Sequence, residues 1–181
     1  MTQPRHIQNL ALVGFMGTGK SSVGRVVADA LQFEFVDTDA MIEVQSGRTI
    51  TEIFATNGEA VFRKLEEQVV EQLAARQKLV ISTGGGLVMN PNNLTSLKSH
   101  ALVVCLWASA ETIFERVRTQ AHRPLLQTTD PLARIKELIE VRGPTYRQAD
   151  VLIHTGLRSP REVALQVIHQ FNLARRSKRR G

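Results

Sequence analysis

One cysteine stands among 181 residues, so neither a disulfide framework nor a cysteine metal site is open to this chain. That residue, Cys105, lies inside the apolar run Ala101 to Trp107 and reads as a core strand position. No run approaches the ~18 consecutive apolar residues of a membrane helix. Met1 to Gln8 has neither the apolar stretch of a signal peptide nor the length of a transit peptide. The expectation is a soluble, cytoplasmic protein that engages no membrane. The five histidines show no metal-ligand or triad-like spacing and read as surface or packing residues, and the single tryptophan, Trp107, ends an apolar run and reads as packing.

The charge excess is also less than it looks. Net charge is +6, but Arg175, Arg176, Lys178, Arg179 and Arg180 crowd the last seven residues, and without them 18 basic residues face 17 acidic ones. A nearly neutral body with a short basic tail argues against nucleic acid as a partner. With 43% apolar residues in this length, one core is the expectation: a single domain over 1–174, a tail over 175–181, and a monomeric state.

What is present is alternation. Leu10 to Val13, Phe33 to Val36, Leu79 to Ser82, Ala101 to Trp107 and Val151 to His154 read as strands. Helical patterns lie between them, with Val23, Val26, Val27, Ala30 and Leu31 on one face of Ser21 to Leu31 and Phe62, Leu65, Val69 and Leu73 on one face of Glu59 to Ala75. This order predicts an α/β fold with a central five-stranded parallel sheet between two helical layers, ligands gathering at the carboxyl ends of the strands. Thr38 to Gly58 is too long for a plain crossover and carries the short amphipathic pieces Ala40 to Gln45 and Thr51 to Ala55, a natural place for a second substrate. The polar stretch 119–129, closed by Asp130 and Pro131 as helix cap and first turn, has the composition of a mobile lid.

Gly14-Phe15-Met16-Gly17-Thr18-Gly19-Lys20-Ser21 matches G-x-x-x-x-G-K-[ST] between an apolar strand and an amphipathic helix. Glycines let consecutive N–H groups turn inward onto phosphate oxygens, and the helix adds its positive end. Gly14, Gly17, Thr18 and Gly19 form the cradle, Lys20 should reach the β- and γ-phosphates, and the Ser21 hydroxyl should ligate Mg²⁺. Asp37 and Asp39 follow the second strand, so one carboxylate can serve a metal and the other a substrate hydroxyl; a turn or helix cap leading into Ala40 is the alternative. Gly84-Gly85-Gly86 follows the third strand and offers either unobstructed backbone to a ligand or a flexible turn.

Together with Phe62-Arg63-x-x-Glu66 and Arg123-Pro-Leu-Leu, these motifs resemble the shikimate kinases in order and spacing from about Leu10 to Phe171. The resemblance implies a three-layer P-loop kinase fold whose helical insertion, about 38–66, binds the substrate beneath a mobile lid. It also implies transfer of the γ-phosphoryl of ATP to the 3-hydroxyl of shikimate, on the common route to aromatic amino acids. On it, Asp39 is the candidate base, Lys20 and Arg123 are catalytic with Arg123 closing on the transferring phosphate, and Asp37 with Ser21 serves Mg²⁺. Arg63, positioned by Glu66, and Arg147 would bind the shikimate carboxylate. Gly85 and Gly86 would meet the ring hydroxyls, Phe54 and Phe62 would wall the site, and Arg118 and Arg158 would contact the adenosine. Gluconate kinase is the harder rival, since its acceptor also carries a carboxylate and hydroxyls, and a nucleoside monophosphate kinase is another. A guanine-nucleotide switch lacks support, with no Asn-Lys-x-Asp and no Asp-x-x-Gly in the chain.

Overall fold

The structure, a computed structural model, describes residues 5–118 and 128–176. Arg123, most of the expected lid and the tail beyond Arg176 lie outside them. Five parallel strands, β1 (Asn9–Val13), β2 (Glu34–Asp37), β3 (Leu79–Ser82), β4 (Ala101–Trp107) and β5 (Val151–His154), form one sheet in the order β2-β3-β1-β4-β5. Helices α1 (Lys20–Leu31), α2 (Thr38–Ser46), α3 (Ile50–Ala74), α4 (Pro91–His100), α5 (Ala110–Val117), α6 (Pro131–Tyr146) and α7 (Pro160–Arg176) and a 3₁₀ turn, η1 (Leu87–Met89), connect them.

Every residue of β1 is buried, because both faces of the sheet are covered, which is why its strands read as continuous apolar runs rather than alternating ones. Leu10, Leu12, Val104 and Leu106 pack on Val23 and Val27 of α1 and Val163, Val167 and Phe171 of α7. Ala11, Val13, Val103 and Cys105 face α3 to α6 through Phe62, Val69, Leu97, Ile113 and Ile135. Cys105 is therefore the core strand residue expected, 1% exposed.

Two elements differ from expectation. β2 begins at Glu34 rather than Phe33: the Phe33 N–H donates to the Ala28 carbonyl, closing off α1, and the ring packs edge-on against Phe171 at 5.8 Å. Helix α3 runs from Ile50 straight through the expected gap before Glu59, with a single break at Gly58, φ 76° and ψ 173°. Its start is a capping box in which the Thr49 hydroxyl accepts from Glu52 N–H and the Glu52 carboxylate accepts from Thr49 N–H.

Among the described residues, no helix is long and apolar enough to cross a membrane. At the amino ends of the strands, buried Asn9 donates to the Arg76 carbonyl, accepts from Leu79 N–H, and lies 2.9 Å from His100 Nδ1. His100 is thus a buried packing residue, and burial lowers its pKa. The carboxyl ends of the strands are left for chemistry.

Candidate active site

The glycine loop leaves β1 in the middle of the sheet. Gly14 has φ 132°, and a Cβ there would collide with the Leu106 carbonyl oxygen; Gly17 has φ 72°, and a Cβ would lie 2.7 Å from Val117 Cγ1. Only glycine fits either place. Lys20 folds over the loop, donating to the Gly14 and Phe15 carbonyls at 2.9 and 2.8 Å, and the buried Thr18 hydroxyl donates to the Phe15 carbonyl at 2.8 Å.

Helix α1 begins at Gly19 with no side-chain cap. The starts of α2 to α7 are all capped by side chains: Asp37, Thr49, Asn90, Ser109, Asp130 and Ser159. The first-turn N–H groups of α1 therefore point, with the positive end of the helix dipole, into a cavity of about 490 Å³. That cavity is also bounded by Ser21, Asp37, Asp39, Ser82, Gly84 and Gly85 at one end and by Arg116, Arg158 and Pro160 at the other.

Asp37 divides its work by oxygen atom. Asp37 Oδ1 accepts from the N–H groups of Asp39 and Ala40, capping α2, while Oδ2 accepts from the Ser21 hydroxyl at 3.0 Å. The helix cap and the metal-side placement weighed from sequence therefore coexist in one residue. Ser82 Oγ lies 3.2 Å from Ser21 Oγ, completing a small oxygen-rich corner. No group of three or more His, Cys, Asp or Glu among the described residues could hold a metal; the corner suits a hard divalent cation that takes only one or two protein oxygens and the rest from phosphate and water.

The triple glycine organises the other half. A Cβ on Gly84 would run into Asp39 Oδ1, and one on Gly86 would lie 2.8 Å from Arg63 Nη1, whereas Gly85 has nothing closer than 3.6 Å. Gly84 N–H donates to Thr38 Oγ1, and the Tyr146 hydroxyl donates to the Gly85 carbonyl. The segment thus gathers Asp39, Arg63 and Tyr146 around one turn.

Arg63 donates to Glu66 Oε2 at 2.7 Å and to Glu59 Oε1 at 2.8 Å. Glu66 is 1% exposed, and its Oε1 has no hydrogen-bond partner among the described residues. Burial pushes the Glu66 carboxyl up, the Arg63 guanidinium opposes that, and Asp39 adds to it. Phe62 is buried and Phe54 half-exposed, their rings 4.8 Å apart beside Arg63.

The structure does not bring every expected residue here. Arg147 caps the carboxyl end of α6, its Nη1 lying 3.3 Å from a Cβ placed on Gly143, and it lines a different cavity. Arg142, one turn before Tyr146, lies instead over the Phe15 ring, 5.8 Å from its centroid, and its charge and hydrogen bond act on the Tyr146 hydroxyl, which burial pushes up to about 12. Arg118 pairs with Glu115 on the exposed face of α5, away from the nucleotide cavity. Arg116 is the arginine that lines it, donating to the carbonyls of Gly17 and Thr155 and to Thr155 Oγ1. Helix periodicity carries both placements: Arg142 shares a face with Ile135, Leu138 and Tyr146, and Arg116 is one turn from buried Ile113. Arg158 lines the cavity and donates to Gln166. Trp107, expected as packing, is 47% exposed and lies tilted at 50° against His154, ring centroids 4.4 Å apart.

A parallel sheet in this order, a glycine cradle leading into an uncapped helix at its central strand, and a helical insertion at the same edge define a P-loop kinase fold. Residues 16–172 match the family model of shikimate kinase. A shikimate kinase of Thermodesulfovibrio yellowstonii is 45% identical over 165 residues, spanning 91% of this chain and 95% of the relative. The solved shikimate kinase of Acinetobacter baumannii, in complex with shikimate, superposes with a TM-score of 0.86 at 38% identity, covering 91% and 92% of the two chains. The chain belongs to the shikimate kinase family. A gluconokinase of Sinorhizobium meliloti, 18% identical with a TM-score of 0.64, shares the fold alone.

Proposed function

We infer that this protein phosphorylates the 3-hydroxyl of shikimate from ATP, on the route to aromatic amino acids. The observation that carries the reading, beside family membership, is the gathering of one carboxylate, Asp39, and one guanidinium, Arg63, on Gly84 and Gly86 at the mouth of the phosphate cradle. An acceptor with hydroxyls at one end and a carboxylate at the other matches that pair.

In this reading the α1 amides, Lys20 and Thr18 hold the triphosphate, with Arg116 and Arg158 flanking the adenosine. Ser21 and Asp37 would hold Mg²⁺, which supplies charge neutralisation at the phosphates when bound. Asp39 orients the acceptor hydroxyl and takes its proton as the oxygen forms its bond to the γ-phosphorus and the bond to the ADP oxygen breaks. Arg63, held by Glu66, pairs with the shikimate carboxylate, and Arg142 takes the second carboxylate role in place of Arg147. Gly85 leaves backbone room for the ring, and Arg123 acts on the transferring phosphoryl. The insertion, 38–66, carries the acceptor, and 119–129 closes over it to exclude water. A monomeric cytoplasmic enzyme completes the reading, checked by sedimentation and cell fractionation.

The test is ADP release from Mg-ATP with shikimate, gluconate and nucleoside monophosphates offered in turn. Stimulation by shikimate alone is expected; equal stimulation by gluconate would overturn the acceptor assignment. Asp39→Asn should lower kcat by about 10²-fold or more with nucleotide affinity retained. Arg63→Ala should raise the KM for shikimate by about ten- to a hundredfold, as loss of a charge-assisted contact does.

A further inference from the structure

A second cavity of about 360 Å³ lies behind the phosphate cradle, between α5, α6 and the edge of the sheet. Its walls are apolar, with Phe15, Trp107, Ile139 and Leu152 among them, and its one charged lining residue is Arg147. Arg147 is exposed at the rim, and its guanidinium makes no ion pair or hydrogen bond among the described residues. The other titratable groups in the wall carry no charge near neutral pH: burial pushes the Cys105 thiol up to about 11 and the Tyr146 hydroxyl up to about 12. Thr18 lines both this cavity and the nucleotide cavity, so the glycine loop is a wall one residue thick between them.

We propose that this cavity is a second small-molecule site, taking a monocarboxylate with a flat apolar body, and that its occupancy alters ATP binding through the shared loop. The size falls within the range of small-ligand pockets, apolar lining with one oriented polar group is their usual constitution, and the lone guanidinium selects the carboxylate. Trp107, half-exposed on the wall, offers a face for the apolar body. Contact with Phe15 reaches the nucleotide directly, because Thr18 and Lys20 both donate to the Phe15 carbonyl.

Trp107 is the only tryptophan in the chain, so its fluorescence reads occupancy without any catalytic assay and independently of the acceptor assignment. The probes are 3-phenylpropionate and its uncharged amide. The acid should change the emission saturably, the amide should bind about tenfold or more weakly, and Arg147→Gln should bring the acid down to the amide's affinity. In steady-state assays the acid should shift the KM for Mg-ATP by about fivefold, a usual size for coupling between sites, with the KM for shikimate unmoved. Equal binding of acid and amide to the unaltered protein would overturn the proposal even if the variant fails to fold. So would competition with shikimate, strict competition with ADP, or an emission unchanged to about 10 mM of the acid, well beyond the millimolar affinities of weak ligands.

Discussion

Three neighbouring glycines sort the site's functions at the scale of single residues. The side chains that a methyl group would displace are Asp39 for Gly84 and Arg63 for Gly86, while none obstructs Gly85. Gly84→Ala should therefore act mainly on kcat, and Gly86→Ala mainly on the KM for shikimate. Each obstructing atom is the far end of a side chain, so thermal stability should fall little in either variant; a large loss of Tm would show that backbone strain dominates instead. Sequence reading saw the glycines as open backbone or a flexible turn, whereas two of them make room for the protein's own side chains, which only the fold can reveal. The cradle and the two aspartates were legible because their spacing is itself the chemistry. Arg142 and Arg116 were not picked out because each has a second arginine close by at the helix end, Arg147 and Arg118, and only their facing distinguishes them.

Gly58 sets the course of the longest helix. Its φ of 76° and ψ of 173° belong to a region that side-chain-bearing residues avoid, and nothing lies within 4 Å of a Cβ placed there. Gly58→Ala then isolates backbone strain from packing, and a cost of about 1–3 kcal/mol is expected, lowering Tm by roughly 2–4 °C for each kcal/mol. An unchanged Tm would mean the helix straightens on substitution. The alternating elements were legible to within a residue or two because strand and helix periodicities differ, as β4 and α1 show. The continuity of α3 was not, because Gly58 reads as a terminator and its break proves to be an interruption.

At the scale of the whole molecule, one source of acid sensitivity lies at the amino ends of the strands, opposite the phosphate cradle. Burial holds His100 below its usual pKa of about 6.5, so the unfolded chain binds the proton more readily than the folded one. Its contribution to stability is present above the unfolded pKa and is lost as pH falls through 6.5 toward the depressed folded value. Urea unfolding at pH 7.5 and 5.5 should show a loss that His100→Gln reduces; equal losses in both proteins would place the acid sensitivity elsewhere.

The bare start of α1 has a further consequence, for the protein's lifetime in a cell. Among the described residues, α2 to α7 are capped by side chains and α1 is not, so phosphates bound there would complete it. Folding is then linked to the supply of nucleotide by mass action, with about 2.7 kcal/mol added at a hundredfold excess over Kd. When that supply falls, the loop and first turn of α1 should be where amide protons exchange soonest and where proteolysis first gains a foothold.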